Sequence, residues 1–165
     1  MNKKITFIII CLFFNSCGFQ PMLKDYDISN IIISESNYSG KNDLTYQLKN
    51  NLNFNEKKES RGFTINFNIS ENLSSVKKNT SGITTEEDLT INIEFKIMDY
   101  KKNNILIDNI SETIRLNISN NMSGDDEKRK IAKINIIKNL AQKIKFQIQI
   151  ISSQTNDIQK FWPKL

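Results

Sequence analysis

From Phe63 to Ile69, and again from Leu89 to Ile97, the chain alternates apolar and polar residues without a break. In the first run Phe63, Ile65, Phe67 and Ile69 alternate with Thr64, Asn66 and Asn68; in the second Leu89, Ile91, Ile93, Phe95 and Ile97 alternate with Thr90, Asn92, Glu94 and Lys96. Successive side chains of a β-strand point to opposite faces of its sheet, so a period of two specifies a strand buried on one face and wet on the other. Two such strands demand a sheet with one apolar face, and another layer must cover that face.

The remaining elements follow from the same reasoning. Between the two runs a polar stretch with Ser74, Ser75, Lys77, Lys78, Ser81 and Gly82 reads as a loop. Lys101 to Asn104 read as a hairpin tip, after which Ile105 and Ile107 begin a third alternating run. Its phase then changes to Ile110, Ile114, Leu116 and Ile118, and a bulge near Asp108 and Asn109 would keep one face apolar throughout. Upstream, Ile28 to Ser34 is a strand candidate centred on Ile31, Ile32 and Ile33, followed by a turn-like stretch from Asn37 to Asn42. From Asp43 to Phe54, Leu44, Leu48 and Leu52 recur every fourth residue on one face of a short helix, with Asp43 as its N-cap.

A long helix opens at Ser123, with Asp126 completing a capping-box pattern. Ile134, Ile137, Ala141, Ile144, Ile148 and Ile151 form a stripe through roughly 30 residues, a pattern that also suits a coiled coil. The apolar sheet face upstream favours packing on the sheet. Beyond Ser153 the tail through Phe161, Trp162 and Pro163 ends the helix. The order β-α-β-β-β-α predicts an α+β two-layer sandwich, an approximately four-stranded mixed sheet covered on one face by two helices. The domain is expected over residues 28–155, with a C-terminal tail over 156–165.

The N-terminus has a separate logic. Lys3 and Lys4 precede a mostly apolar run from Ile5 to Phe14, then Asn15, Ser16, Cys17 and Gly18. This is the layout of an export signal over residues 1–16, and the run is about half the roughly 20 apolar residues a membrane-spanning helix needs. Cys17, directly after the small Ser16, is placed to take a diacylglyceryl group before cleavage and an N-acyl group after it. Phe14 and Asn15 depart from the usual lipobox, where leucine and a small residue stand. Cys11 follows the bulky Ile10 and leaves with the signal. Several acyl chains anchor a protein firmly without a spanning helix. Residues 17–27 read as the lipidated tether, and Gly18, where lipoproteins retained in the inner membrane carry aspartate, points to the outer membrane.

Removal of residues 1–16 leaves 149 residues with 21 basic and 18 acidic side chains, a formal charge of +3. Those charges are interspersed, with no basic stripe for nucleic acid. The chain has no histidine. That absence removes Ser-His triads, most zinc sites and the commonest general base. The acids of Glu86, Glu87 and Asp88, and of Asp125, Asp126 and Glu127, lie in polar runs suited to loops and helix caps rather than catalysis. No enzyme, metal or cofactor is expected beyond the acyl groups on Cys17.

Cys17-Gly18-Phe19-Gln20-Pro21-Met22-Leu23 resembles the start of the mature LptE lipopolysaccharide-assembly lipoproteins, which share a CGF tripeptide and a nearby proline. The element order is similar over nearly the whole chain. The resemblance implies a non-enzymatic lipoprotein on the periplasmic side of the outer membrane, plugging the lumen of the large LptD β-barrel and assisting its assembly in lipopolysaccharide transport. A barrel lumen is polar, and the outward-facing Thr64, Asn66, Asn68, Thr90 and Asn92 suit it, as they would an ordinary solvated sheet face. The family is also associated with lipopolysaccharide, whose phosphates call for basic groups; Lys77, Lys78, Lys101 and Lys102 are the candidates, alongside plain solubilising charge. Two other readings share the fold: a free-standing periplasmic lipoprotein carrying a small apolar ligand, and an adaptor of another envelope transport complex.

Overall fold

A computed structural model describes residues 31–57 and 62–161, with side chains as far as Ser153. The signal, Cys17, the tether and residues 162–165 lie outside the described residues. The elements are β1 (Ile33–Gly40), α1 (Asn42–Leu52), β2 (Phe63–Lys78), β3 (Thr84–Met98), β4 (Asn104–Asn117) and α2 (Met122–Phe161). The strands form one sheet in the order β1-β2-β3-β4. β1 runs parallel to β2, and the other neighbours are antiparallel. A parallel pair needs a crossover, and α1 supplies it.

The alternation predicted for β2 and β3 is the alternation observed. Ile65, Phe67 and Ile69 of β2 and Leu89, Ile91, Ile93, Phe95 and Ile97 of β3 are buried in one cluster with Leu44, Leu48 and Leu52 of α1. Both helices lie on that face, giving the two-layer α+β sandwich. α2 contributes Ala132, Ile136, Ile137, Leu140, Ala141, Ile144 and Ile148. Ile134, placed in the stripe by its spacing, is instead 43% exposed. A helix seated on a sheet and beside a second helix buries a wider face than a heptad seam, so Ile136 and Leu140 enter and Ile134 turns out.

Other local expectations are displaced. The first strand starts at Ile33 and runs through Asn37, Tyr38 and Ser39, the stretch that read as a turn. Pairing with β2 overrides its turn-like composition: Tyr38 lies opposite Phe67, and the two rings stack with centroids 5.0 Å apart. Gly40 then takes φ 122°, and a Cβ there would fall 2.2 Å from the carbonyl oxygen of Ile69, so only glycine leaves β1 at that point. Lys41, not Asp43, is the N-cap of α1. The polar stretch Ser74 to Lys78 is strand rather than loop, since β2 pairs with β3 out to Lys78 and Thr84. No bulge interrupts β4 at Asp108 or Asn109; the irregularity lies between Ile97 and Met98 on β3, whose partners Leu106 and Asn104 skip Ile105. As a result Ile107 points to the open face, 67% exposed.

The long helix starts at Met122, one residue before Ser123, with the N–H of Asp125 bonded to the carbonyl of Asn121. It continues past Ser153 as far as Phe161. Charged side chains on the covered face tie the layers together. Arg129 of α2 donates through Nε and Nη2 to both carboxylate oxygens of the buried Glu87 on β3. Glu71 of β2 sits between Lys133 of α2 at 2.9 Å and Lys41 at 3.2 Å. Burial pushes the Glu71 carboxyl up, but the two ammonium groups outweigh it and hold it below its usual value. On β4, Glu112 accepts from Asn139 and Lys143, and Asp108 accepts from Gln147 at 2.6 Å.

Candidate functional site, the open face of the sheet

The face turned away from the helices is a carpet of short polar side chains set by the strand registers. Across β1 to β4 its rows read Asn37, Asn66, Lys96, Ile107; then Ser39, Asn68, Glu94, Asn109. Further along β2, β3 and β4 the rows are Ser70, Asn92, Ser111; then Asn72, Thr90, Thr113; then Ser74, Asp88, Arg115. The predicted Thr64, Asn66, Asn68, Thr90 and Asn92 therefore share this one face. Thr64 sits at one end opposite Met98, and the other four form adjacent rows.

Neighbouring side chains bond across the strands. Asn37 Nδ2 donates to Asn66 Oδ1 at 3.0 Å, Ser39 Oγ to Asn68 Oδ1 at 3.2 Å, and Asn68 Nδ2 to Glu94 Oε2 at 3.3 Å. The hydroxyls of Thr90 and Thr113 are 2.8 Å apart. Arg115 grips Asp88 through two bonds of 2.8 and 3.0 Å, and this bonded guanidinium holds the Asp88 carboxyl below its usual range. A shallow hollow of about 250 Å³ on this face is bordered by Ser39, Asn66, Asn68, Glu94, Lys96 and Ile107. Amide and hydroxyl groups that bond each other at the surface retain lone pairs and N–H groups for a wet, hydrogen-bonding partner. Nothing in the arrangement pairs a nucleophile with a base, and among the described residues no cluster of acids or cysteines fits a metal ion.

Sequence reasoning missed the contributions of β1 and β4. Asn37 and Ser39 read locally as a turn, and nothing local announces that a parallel partner will extend them. Ser111, Thr113 and Arg115 alternate with apolar residues and could have been added from the pattern alone. The spacing places Ile107 on the apolar face; its exposure follows from the displaced bulge.

The four candidate lysines are not brought together. Lys77 and Lys78 end β2 beside the start of β3, whereas Lys101 and Lys102 follow the end of β3. The strand between them spans about 45 Å, so no single phosphate group meets both pairs. Lys77 is paired with Glu86 at 3.4 Å. Lys101 stands 5.6 Å from the centroid of the Tyr100 ring. Among the described residues no helix is long and apolar enough to cross a membrane.

Several solved structures share this architecture. The chain is similar to rare lipoprotein B from Shewanella oneidensis, at 12% identity and a TM-score of 0.56, over 76% of this chain and 98% of that one. It is similar to a minor lipoprotein from Acinetobacter baumannii, at 17% identity and a TM-score of 0.52, over 73% and 94% of the two chains. It is also similar to lipoprotein B from Nitrosomonas europaea, at 12% identity and a TM-score of 0.53, over 81% and 96%. At these identities the likeness is one of fold. No curated protein matches the chain by sequence. The LptE lipopolysaccharide-assembly family model matches residues 28–148, which takes in the whole sheet, α1 and the buried stripe of α2, and the chain therefore belongs to the LptE family.

Proposed function

We propose that this chain is an outer-membrane lipoprotein, anchored through acyl groups on Cys17 at the periplasmic side, whose domain plugs an LptD-type β-barrel and assists its assembly in lipopolysaccharide transport. The observation that carries the reading is the open face. Its strands present mostly asparagine, serine and threonine, with the charged Glu94, Lys96, Asp88 and Arg115 and the exposed Ile107 among them, which suits the polar interior of a large outer-membrane barrel. Family membership supports the role in lipopolysaccharide assembly and a non-enzymatic mode of action. In this reading the barrel supplies donors and acceptors to the rows from Asn37 to Thr113. Lipopolysaccharide phosphates meet one lysine pair at a time, because the pairs lie at opposite ends of β3.

The test is purification of the intact lipoprotein from gently solubilised outer membranes. A single large β-barrel should co-purify in equal amount, and photo-crosslinkers at Asn66, Asn68 or Asn92 should reach residues of its lumen. Elution of the lipoprotein alone, with crosslinks to nothing but solvent, overturns the reading. Elution with a small apolar ligand would install the carrier reading in its place.

A further inference from the structure

The end of the sandwich where the chain enters β1 carries a group of side chains that the open face does not use. Ile33 pairs with Phe63, Thr64 with Met98 and Met98 with Asn104, so the start of β1, the end of β3 and the start of β4 share one end of the sheet. α2 runs toward the same end, because Asn139 bonds Glu112 and, two turns further on, Gln147 bonds Asp108. Ile150 follows one turn later and is 40% exposed. At this end Ile32, Tyr100 and Ile105 are also exposed. The turn between β3 and β4 adds Lys101 and Lys102, both exposed and neither in an ion pair among the described residues. The adjacent carboxylate feels the Lys101 charge but takes its hydrogen bonds from the turn itself. Asp99 accepts from the side chain of Asn103 and from the N–H groups of Lys101 and Asn103, bonds that set the turn and hold its carboxyl below the usual range. On the β1 side Glu56 accepts from Ser36.

Exposed aliphatic groups, an aromatic ring and two exposed lysines outside any ion pair match, at one end of a domain, the chemistry of a bilayer interface, where rings and aliphatic groups enter the headgroup layer and ammonium groups meet lipid phosphates. The chain length agrees with this. Cys17 and Ile33 are separated by 16 residue steps, a reach of about 50 Å when extended. Acyl chains on Cys17 would tether the domain at this end, whereas the β2–β3 turn, about 45 Å further along β3, would meet the membrane only with the tether near full stretch. We infer that this end is a bilayer-contact surface, with Tyr100, Ile105 and Ile150 seated among the headgroups and Lys101 and Lys102 on the phosphates of anionic phospholipid. The inference rests on acylation of Cys17 and concerns the lipoprotein before it enters a barrel, whose wall stands between a lumenal plug and the bilayer.

The mature, acylated chain reconstituted into vesicles provides the test. A fluorophore on Asn104→Cys, beside the turn, is compared with one on Ser81→Cys at the opposite end, using a quencher carried on the lipid. Quenching should be strong at 104 and weak at 81, and stronger with phosphatidylglycerol present than with phosphatidylcholine alone. In the phosphatidylglycerol vesicles Lys101→Glu with Lys102→Glu should lower the ratio of seated to free turn by at least about fivefold per lysine. Equal quenching at the two positions, in a chain that still floats with the vesicles, overturns the inference and leaves the anchor standing. A chain that does not float removes the anchor and this inference together. Quenching that arises only when lipopolysaccharide replaces phosphatidylglycerol assigns the lysines to lipopolysaccharide and overturns the phospholipid assignment. The barrel reading is scored separately by co-purification, so each can fail without the other.

Discussion

Phe67 and Asn68 are adjacent in β2, yet they belong to two different chemistries. Behind Phe67 lie Tyr38, Phe54 and Phe95, with ring centroids 5.0 to 6.2 Å away, and beyond them both helices. Around Asn68 lie Ser39 and Glu94, each one strand away, and then solvent. Polar groups on the two faces also differ in what they hold. On the covered face the carboxylates of Glu71, Glu87, Asp108 and Glu112 each reach a side chain on a helix, so they fix one layer against the other. On the open face the polar groups bond one another across strands and stay half-buried or exposed. A buried group that loses its partner has no water to replace it, whereas an exposed one does. The covered face should therefore govern stability and the open face association.

The largest effect should come from placing a charge in the covered layer. Ile144→Asp puts an unpartnered carboxylate where the native side chain is wholly buried, at a cost of several kcal/mol against a domain stability of about 5–15 kcal/mol. Urea denaturation should show a collapsed midpoint; an unchanged midpoint would mean that the stripe of α2 does not pack on the sheet. Arg129→Ala should come next, costing about 2 kcal/mol, because it strands Glu87 in the interior while Arg129 itself is partly solvated. Arg129→Ala combined with Glu87→Gln should recover part of that loss, and failure to recover any would assign the effect to helix packing.

A smaller effect is expected from Asp125, and it is pH dependent. The N–H of Ser119 is the main cause holding its carboxyl down to about 2; burial opposes this, and Lys128 and the Ser119 hydroxyl reinforce it. The folded value lies below the ordinary 3.8, so the stabilisation is fully present above that pH and fades as pH falls toward 2. Thermal melts of Asp125→Asn should differ most from the native chain near neutrality, with the gap closing across that acid window. A gap that stays constant with pH would show that the carboxylate charge contributes nothing there.

The smallest stability effect should come from the open face. Asn66→Ser should change stability by no more than about 0.5 kcal/mol in the same denaturation assay. Charged substitutions at Asn66, Asn68 and Asn92 together should leave the fold intact yet weaken the complex with the proposed barrel, since an extensive interface tolerates one polar change better than several charges. Severe unfolding by Asn66→Ser would erase the distinction between the faces.

What local sequence determined here is the part of the structure written in a period. A two-residue alternation needs only a strand to acquire meaning, so the inward and outward assignments of Phe63 to Ile69 and Leu89 to Ile97 held residue by residue. The fourfold spacing of Leu44, Leu48 and Leu52 fixed the buried face of α1 in the same way. The polar residues of those strands, and hence the middle of the candidate site, were legible with them. Tertiary structure decided the rest, wherever an element depends on a neighbour distant in the chain. β1 extends to Gly40 because β2 offers a parallel edge, Ser74 to Lys78 remain strand because β3 pairs with them, and Ile107 faces out because the register irregularity falls at Ile105. Ile134 is exposed and Ile136 buried because α2 meets a sheet and a second helix at once. A side chain's spacing records which face it shares with its neighbours; only the packed molecule decides which partner that face meets, because burial and pairing energies come from residues that no local window contains.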